Sequence, residues 1–232
     1  MATADPRALL ADALGALGAT LRYHRDLGVD ELALTGDYLL DPAEALRAQK
    51  QGLQGCRKCK LCEGRSTIVF GTGNPRAELV VIGEGPGADE DAQGLPFVGR
   101  AGQLLTKMLE ARKVELARDE VYICNTVMCR PPGNRNPEAD ELAACAPFLA
   151  AQLAVLQPKV VLALGSVATQ SLLGTREPIG KLRGRVHPYG SAVLIPTFHP
   201  AFLLRNPGDE YKRMAWEDLQ LARREYDRRR TR

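Results

Sequence analysis

Four short apolar runs constrain the fold of this chain more than any other feature. They lie at 78–83 (ELVVIG), 121–127 (VYICNTV), 159–165 (KVVLALG) and 192–198 (AVLIPTF). None alternates polar with apolar residues, so each reads as a strand covered on both faces, as in a parallel sheet. Helical patterns separate most of them, at 101–113, 138–156 and 166–173. Strand alternating with helix predicts a three-layer α/β/α sandwich around a central four-stranded, mainly parallel sheet, with right-handed crossovers. The helix over 138–156 is expected to start at Asn136-Pro137-Glu138, as an N-cap followed by proline at the first helical position.

Residues 1–50 stand apart as a helical N-terminal extension, with residues 51–232 as the main domain. Leu9, Leu10, Leu14, Leu17 and Leu21 recur at helical spacing, and Asp41-Pro42-Ala43-Glu44 reads as a helix start. The 232 residues are 45% apolar and 25% charged, the make-up of an ordinary globular protein. No apolar run looks long enough to span a membrane, and the N-terminus does not resemble a signal peptide. A cytoplasmic monomer with no membrane partner is therefore expected. Net charge is only +3, which neither requires nor excludes nucleic acid. Basic residues do gather at Lys181, Arg183, Arg185 and His187, and again from Arg223 to Arg232, the latter reading as a solvated, frayed helix end.

Six cysteines fall into an uneven pattern. Cys56, Cys59 and Cys62 form one tight run; Cys124, Cys129 and Cys145 follow far downstream. Two pairs, Cys56-x2-Cys59 and Cys129-x15-Cys145, could complete a four-thiolate shell around zinc or an iron–sulfur cluster. A disulfide framework is the poorer reading for this chain.

Ligands of open parallel sheets bind beyond the carboxyl ends of the strands. Here those ends carry Gly83-Glu84-Gly85-Pro86-Gly87, Asn125, Gly165-Ser166 and Phe198-His199-Pro200. A carboxylate, an amide, a hydroxyl and an imidazole thus converge on one rim. The glycine loop lacks both the G-x-G-x-x-G spacing and a Walker lysine, and its acids (Glu84, Asp89, Glu90, Asp91) would repel phosphate.

These segments, together with Gly94-x-Pro96-Phe97-Val98-Gly99-Arg100-Ala101-Gly102, Asn125-x3-Cys129-Arg130-Pro131-Pro132 and His199-Pro200-x2-Leu203-Leu204-Arg205, resemble the family 4 uracil-DNA glycosylases, iron–sulfur enzymes of bacteria and archaea. The resemblance covers roughly residues 53–225 and implies a [4Fe–4S] cluster held by Cys56, Cys59, Cys129 and Cys145, leaving Cys62 and Cys124 without a ligand role. It further implies that Phe97 stacks on a flipped uracil, that Asn125 reads the base edge, and that Glu90 lies near C5. His199 would hydrogen-bond O2 of the departing base, helped by N–H groups of the glycine loop that includes Gly85. Glu84 would position or activate water, and Leu203 would wedge into the base stack. Ser166, Arg183, Arg185 and Arg205 would hold the DNA backbone.

The function expected from this resemblance is excision of uracil from single- or double-stranded DNA by hydrolysis of the N-glycosidic bond, at the start of base excision repair. Two alternatives stand beside it. One is a related superfamily glycosylase with a broader base range or covalent capture of the abasic sugar, although the stretch 129–137 lacks the histidine of the capturing branch. The other is an iron–sulfur DNA-binding module without catalysis.

Overall fold

The computed structural model describes residues 41–230; the leucine pattern at 9–21 lies outside the described residues. The four apolar runs form the strands β2 (Leu79–Gly83), β3 (Tyr122–Asn125), β4 (Val160–Leu164) and β6 (Ala192–Thr197), all mutually parallel and every residue buried. Two short strands missing from the sequence-based expectation, β1 (Thr72–Gly73) and β5 (His187–Tyr189), pair antiparallel on β3 and β6. The sheet is therefore six-stranded and mixed, in the order β1-β3-β2-β4-β6-β5, and not four-stranded. At two and three residues, the edge strands are too short to carry a periodic signal.

Helices cover both faces. The described helices are α1 (Pro42–Gly52), α2 (Ala88–Gln93), α3 (Arg100–Glu110), α4 (Ala139–Leu156), α5 (Gly165–Leu173), α6 (Ile179–Leu182), α7 (Pro200–Arg205) and α8 (Asp209–Arg230). Val80, Ile82, Val161 and Ala163 pack with Leu46 of α1 and Leu149 and Leu156 of α4. The alternate residues Leu79, Val81, Val160 and Leu162 pack with Leu105 and Leu109 of α3 and Leu219 and Ala222 of α8. One strand thus feeds two cores, and this explains the lack of polar alternation in its sequence.

Helix α4 begins later than expected. Its N-cap is Glu138, whose N–H donates to Glu141 Oε2 at 2.7 Å, a reciprocal cap. Asn136 and Pro137 stay in the preceding loop, where Arg135 donates to the Asn136 carbonyl. At 18 residues and mean hydropathy 1.4, α4 is long and apolar enough to cross a membrane by length and composition alone, contrary to the expectation from sequence. In the fold it places Glu141, Cys145, Leu149, Gln152 and Leu156 in the interior, and Gln152 donates to the Phe70 carbonyl. Within the described part of the basic run at 223–232, α8 continues to Arg230, Arg223 donates to the Val114 carbonyl at 2.8 Å, and Arg230 pairs with Glu78.

Candidate active site

β2 has β3 on one side and β4 on the other, so the chain reverses its direction of travel across the sheet at β2. Loops diverging from such a switch point leave a crevice at the carboxyl ends of the strands. A cleft of about 400 Å³ opens there, lined by Glu84, Gly85, Glu90, Phe97, Asn125, His199 and Arg205 among others. Seven residues expected from sequence to form the site are therefore brought together.

Asn125 ends β3 beside Gly83, its register partner on β2. Its side chain is 1% exposed, and Oδ1 has no hydrogen-bond partner. A buried amide oxygen left unpaired costs about 1–3 kcal/mol, which a ligand donor entering the cleft would recover. Phe97 lies over the same spot: a Cβ on Gly83 would stand 2.4 Å from Phe97 Cζ and 2.5 Å from Asn125 Oδ1. The Phe97 ring is also tilted against the His199 ring, at 5.7 Å between centroids.

His199 follows β6 and caps α7, its Nδ1 accepting the N–H of Ala201 at 3.1 Å. An accepting Nδ1 leaves Nε2 to carry the proton of the neutral ring. Burial, aided by the charge of Arg205 and opposed by Glu90, lowers its pKa to about 4. The ring is thus a neutral donor at ordinary pH. Glu84 has no hydrogen bond to its carboxylate among the described residues; burial raises its pKa, and Arg205 partly offsets this. Its backbone is pinned instead, with Thr126 Oγ1 donating to the Glu84 carbonyl at 2.6 Å.

Glu90 differs from expectation. Its carboxylate accepts three backbone N–H groups, from Gly87 (3.1 Å), Val98 (2.9 Å) and Gly99 (2.9 Å). It lines the cleft but is spent as a brace between the glycine loop and the Phe97 loop. The Gly87 N–H is consequently unavailable to a departing base. Asp91 is likewise turned inward, accepting from the Ser66 and Thr67 N–H groups, so neither acid faces a ligand as free charge.

Four expected DNA contacts lie outside the cleft. Leu203 is only 5% exposed and packs with Phe198 and Ala215, whereas Leu204 is 40% exposed. Consecutive helical positions point about 100° apart, so once α7 docks Leu203 on α8, the leucine left facing outward is Leu204. Arg183 is bound to Asp218 through Nε (2.9 Å) and Nη2 (2.7 Å), and also donates to the Met214 carbonyl. Asp218 is fully buried, so Arg183 neutralises an interior carboxylate and is not open to phosphate. Arg185 is exposed, and Ser166 is half-buried in the first turn of α5.

The family model for the uracil DNA glycosylase superfamily matches residues 70–220. A Type-4 uracil-DNA glycosylase of Thermotoga maritima is 43% identical over 78% of this chain and 94% of its own length. This chain belongs to the Type-4 uracil-DNA glycosylases. A Type-4 uracil-DNA glycosylase of Sulfurisphaera tokodaii is 40% identical over 78% of this chain and 84% of its own length. A Type-5 uracil-DNA glycosylase of Thermus thermophilus is more distant, at 32% identity over 67% of this chain and 79% of its own length.

As in the resemblance to Type-4 enzymes, the cysteines divide into four and two. Cys56, Cys59, Cys129 and Cys145 line one small pocket with Arg65 and Met128. Burial raises the Cys145 pKa to about 11, and the charges of Cys129, Cys59 and Cys56 push the same way. Arg65 Nη1 donates to Cys129 Sγ at 3.2 Å and Nη2 to the Cys56 carbonyl at 2.7 Å, joining the two cysteine segments. Among the described residues, no three His, Cys, Asp or Glu side chains form a group able to hold a metal ion. Cys124 is fully buried in β3, and Cys62 ends the 3₁₀ turn Lys60–Cys62; neither lines the pocket.

The packing roles of Gly83 and Gly102, quoted above only as parts of motifs, and of Arg118, which no motif includes, emerge only in the structure. Gly83 and Gly102 make room for the Phe97 loop; a Cβ on Gly102 would lie 1.9 Å from the Phe97 carbonyl oxygen. Arg118 donates to the Pro96 and Phe97 carbonyls. Glycines packed against another segment have no periodic signature, and Arg118 lies in a loop outside every quoted motif.

Proposed function

We propose that this chain flips uracil out of DNA and hydrolyses its N-glycosidic bond, leaving an abasic site and opening base excision repair. The observation that carries this reading is the buried, unpartnered Asn125 Oδ1 in a cleft walled by Phe97. Uracil offers N3–H to that oxygen and O4 to the Asn125 NH2. Cytosine presents an acceptor and a donor at those positions, and an amide held in one orientation rejects it. The base stacks on Phe97, as flipped bases do on aromatic walls.

Cleavage breaks the bond between C1′ and N1, whose electron pair leaves with the base, while a water oxygen bonds to C1′. Negative charge grows on O2 of the departing uracil, where the Nε2–H of neutral His199 donates. One such donor is worth about 3–4 kcal/mol. The free carboxylate of Glu84 orients the water, accepts its proton and faces the cationic sugar. Gly85 lets the base approach the loop backbone closely. The carboxylate of Glu90 works indirectly, by holding the wall that carries Phe97, and its side chain bounds the cleft near C5.

Cys56, Cys59, Cys129 and Cys145, which share one small pocket with Arg65, fit a [4Fe–4S] cluster, which takes one thiolate per iron. Burial, with a smaller push from the neighbouring Cys56 and Cys59, raises the pKa of Cys129 and Cys145, and iron offsets that cost by binding them as thiolates. When bound, the cluster would supply a structural cross-link, tying residues 56–59 to the loop that follows Asn125. The domain is read as 51–232 with 1–50 an extension, although helix α1 crosses that boundary and places Leu46 in the core of the unit that begins at Asp41. The reading includes a cytoplasmic monomer acting on single- or double-stranded uracil-containing DNA. Arg185, Arg205 and Ser166 hold the backbone in it, and exposed Leu204 is better placed than Leu203 to enter the base stack.

Incubation with a uracil-containing oligonucleotide, then alkali and a denaturing gel, tests the reading. Strand scission with the parent chain and a loss of at least about 100-fold in Asn125→Ala are expected. Full activity in that variant would remove Asn125 from base recognition; a covalent DNA adduct would favour capture, and binding without scission the non-catalytic module.

A further inference from the structure

We propose that Arg118 is a positioning residue for base recognition, holding the Phe97 wall in place as the cationic half of a two-sided backbone clamp. The inference rests on the reading of Phe97 as the surface on which uracil stacks. Nothing in the motifs of the cleft includes Arg118, and it does not line the cleft.

The clamp acts on four consecutive residues. Arg118 Nη2 donates to the Pro96 carbonyl at 3.0 Å, and Nη1 to the Phe97 carbonyl at 2.9 Å and to Thr106 Oγ1 at 3.1 Å. From the other side, the Glu90 carboxylate accepts the N–H groups of Val98 and Gly99. Carbonyls of 96 and 97 thus meet a cation, and N–H groups of 98 and 99 meet an anion. Between them Phe97 has φ +54°, in the left-handed region that a phenylalanine rarely adopts. Strained conformations persist when surrounding contacts over-determine them, and these contacts do so here.

The strain has a consequence for the ring. Relaxing φ at Phe97 would swing the ring off Gly83 and away from Asn125 and His199, because its place is set by the Cα–Cβ direction. The guanidinium reaches both carbonyls at once through separate nitrogens, a geometry that a lysine ammonium cannot reproduce with equal reach. Arg118 therefore acts through Phe97 and not on substrate directly.

The test uses the full chain carrying its cluster, as parent, Arg118→Ala, Arg118→Lys, Phe97→Ala and the Arg118→Ala/Phe97→Ala double variant. Thermal midpoint, kcat and KM on a uracil-containing oligonucleotide, and inhibition by free uracil are measured. Arg118→Ala should weaken free-uracil inhibition and raise KM by about tenfold, with a smaller change in kcat, and Arg118→Lys should fall between. In the Phe97→Ala background the Arg118 substitution should add nothing, since coupled residues are non-additive. Equal losses in both backgrounds, unchanged uracil inhibition in Arg118→Ala, or failure of both Arg118 variants to fold would each overturn the proposal. If Phe97→Ala alone left uracil inhibition unchanged, the stacking reading would fall instead, and that result is read without any Arg118 variant.

Discussion

Gly83 and Asn125 end adjacent parallel strands in register, and the side chain that Gly83 lacks is the space that the Asn125 amide occupies. A methyl group there would press on Asn125 Oδ1 and Phe97 Cζ from 2.5 and 2.4 Å. Gly83→Ala should therefore displace the Asn125 amide and the Phe97 ring together. Overpacking of this kind costs about 1–3 kcal/mol, so the variant should fold with a lowered thermal midpoint. Its kcat/KM on a uracil oligonucleotide should fall at least about tenfold, as expected for misplaced recognition groups. Near-parental activity would show that Asn125 and Phe97 need not hold the places seen here.

The acid side of the pH–rate profile should belong to Glu84. Burial raises its pKa above 4.5, so the reactive carboxylate is lost as pH falls through a value above that of an ordinary glutamate. His199, lowered to about 4, stays neutral through that range and should give no inflection near the ordinary 6.5. Steady-state rates across pH should show one acid limb in the parent, abolished in Glu84→Gln along with much of kcat. A limb that persists in Glu84→Gln would assign it to another group.

Two arginines that look alike in sequence should behave oppositely. Arg183→Ala leaves Asp218 buried without its partner; breaking such a pair costs about 3–5 kcal/mol, visible in denaturant unfolding. Arg205→Ala should leave stability nearly unchanged and reduce the salt dependence of DNA binding by about one unit of log–log slope, as for one lost phosphate contact. A lowered salt slope with unchanged stability in Arg183→Ala would reverse the assignment.

Serine at Cys56, Cys59, Cys129 or Cys145 should lower iron and sulfide content and the thermal midpoint, because one iron loses its thiolate. Cys62→Ser and Cys124→Ala should retain both metal and visible absorption. Iron and sulfide analysis of the six variants checks this directly; loss in Cys62→Ser with retention in Cys145→Ser would redraw the ligand set.

Much of the site was legible because the ends of β2, β3 and β6 each carry one chemically distinctive residue and a glycine-flanked motif carries Phe97. Glu84, Phe97, Asn125 and His199 could be named from order and motif, and all four line one cleft. Leu203 and Arg183 could not be judged in the same way. A leucine pair on a short helix reads identically whichever member faces solvent, and a basic residue in a loop does not reveal that Asp218, 35 positions onward, will claim it. Glu90 was rightly drawn to the cleft, but its three backbone partners come from segments joined only after folding.

The sequence by itself determined the doubly covered parallel strands and the rim residues at their ends, because those depend on local pattern and on spacing along the chain. Only the tertiary structure decided the edge strands, the burial of Leu203 and Arg183, the unpaired amide oxygen of Asn125 and the clamp of Arg118 and Glu90 on Phe97. Those depend on which groups remain unsatisfied, or become so, when distant segments meet. Hydrogen-bond supply and excluded volume are settled in three dimensions, and periodicity in one dimension carries no record of them.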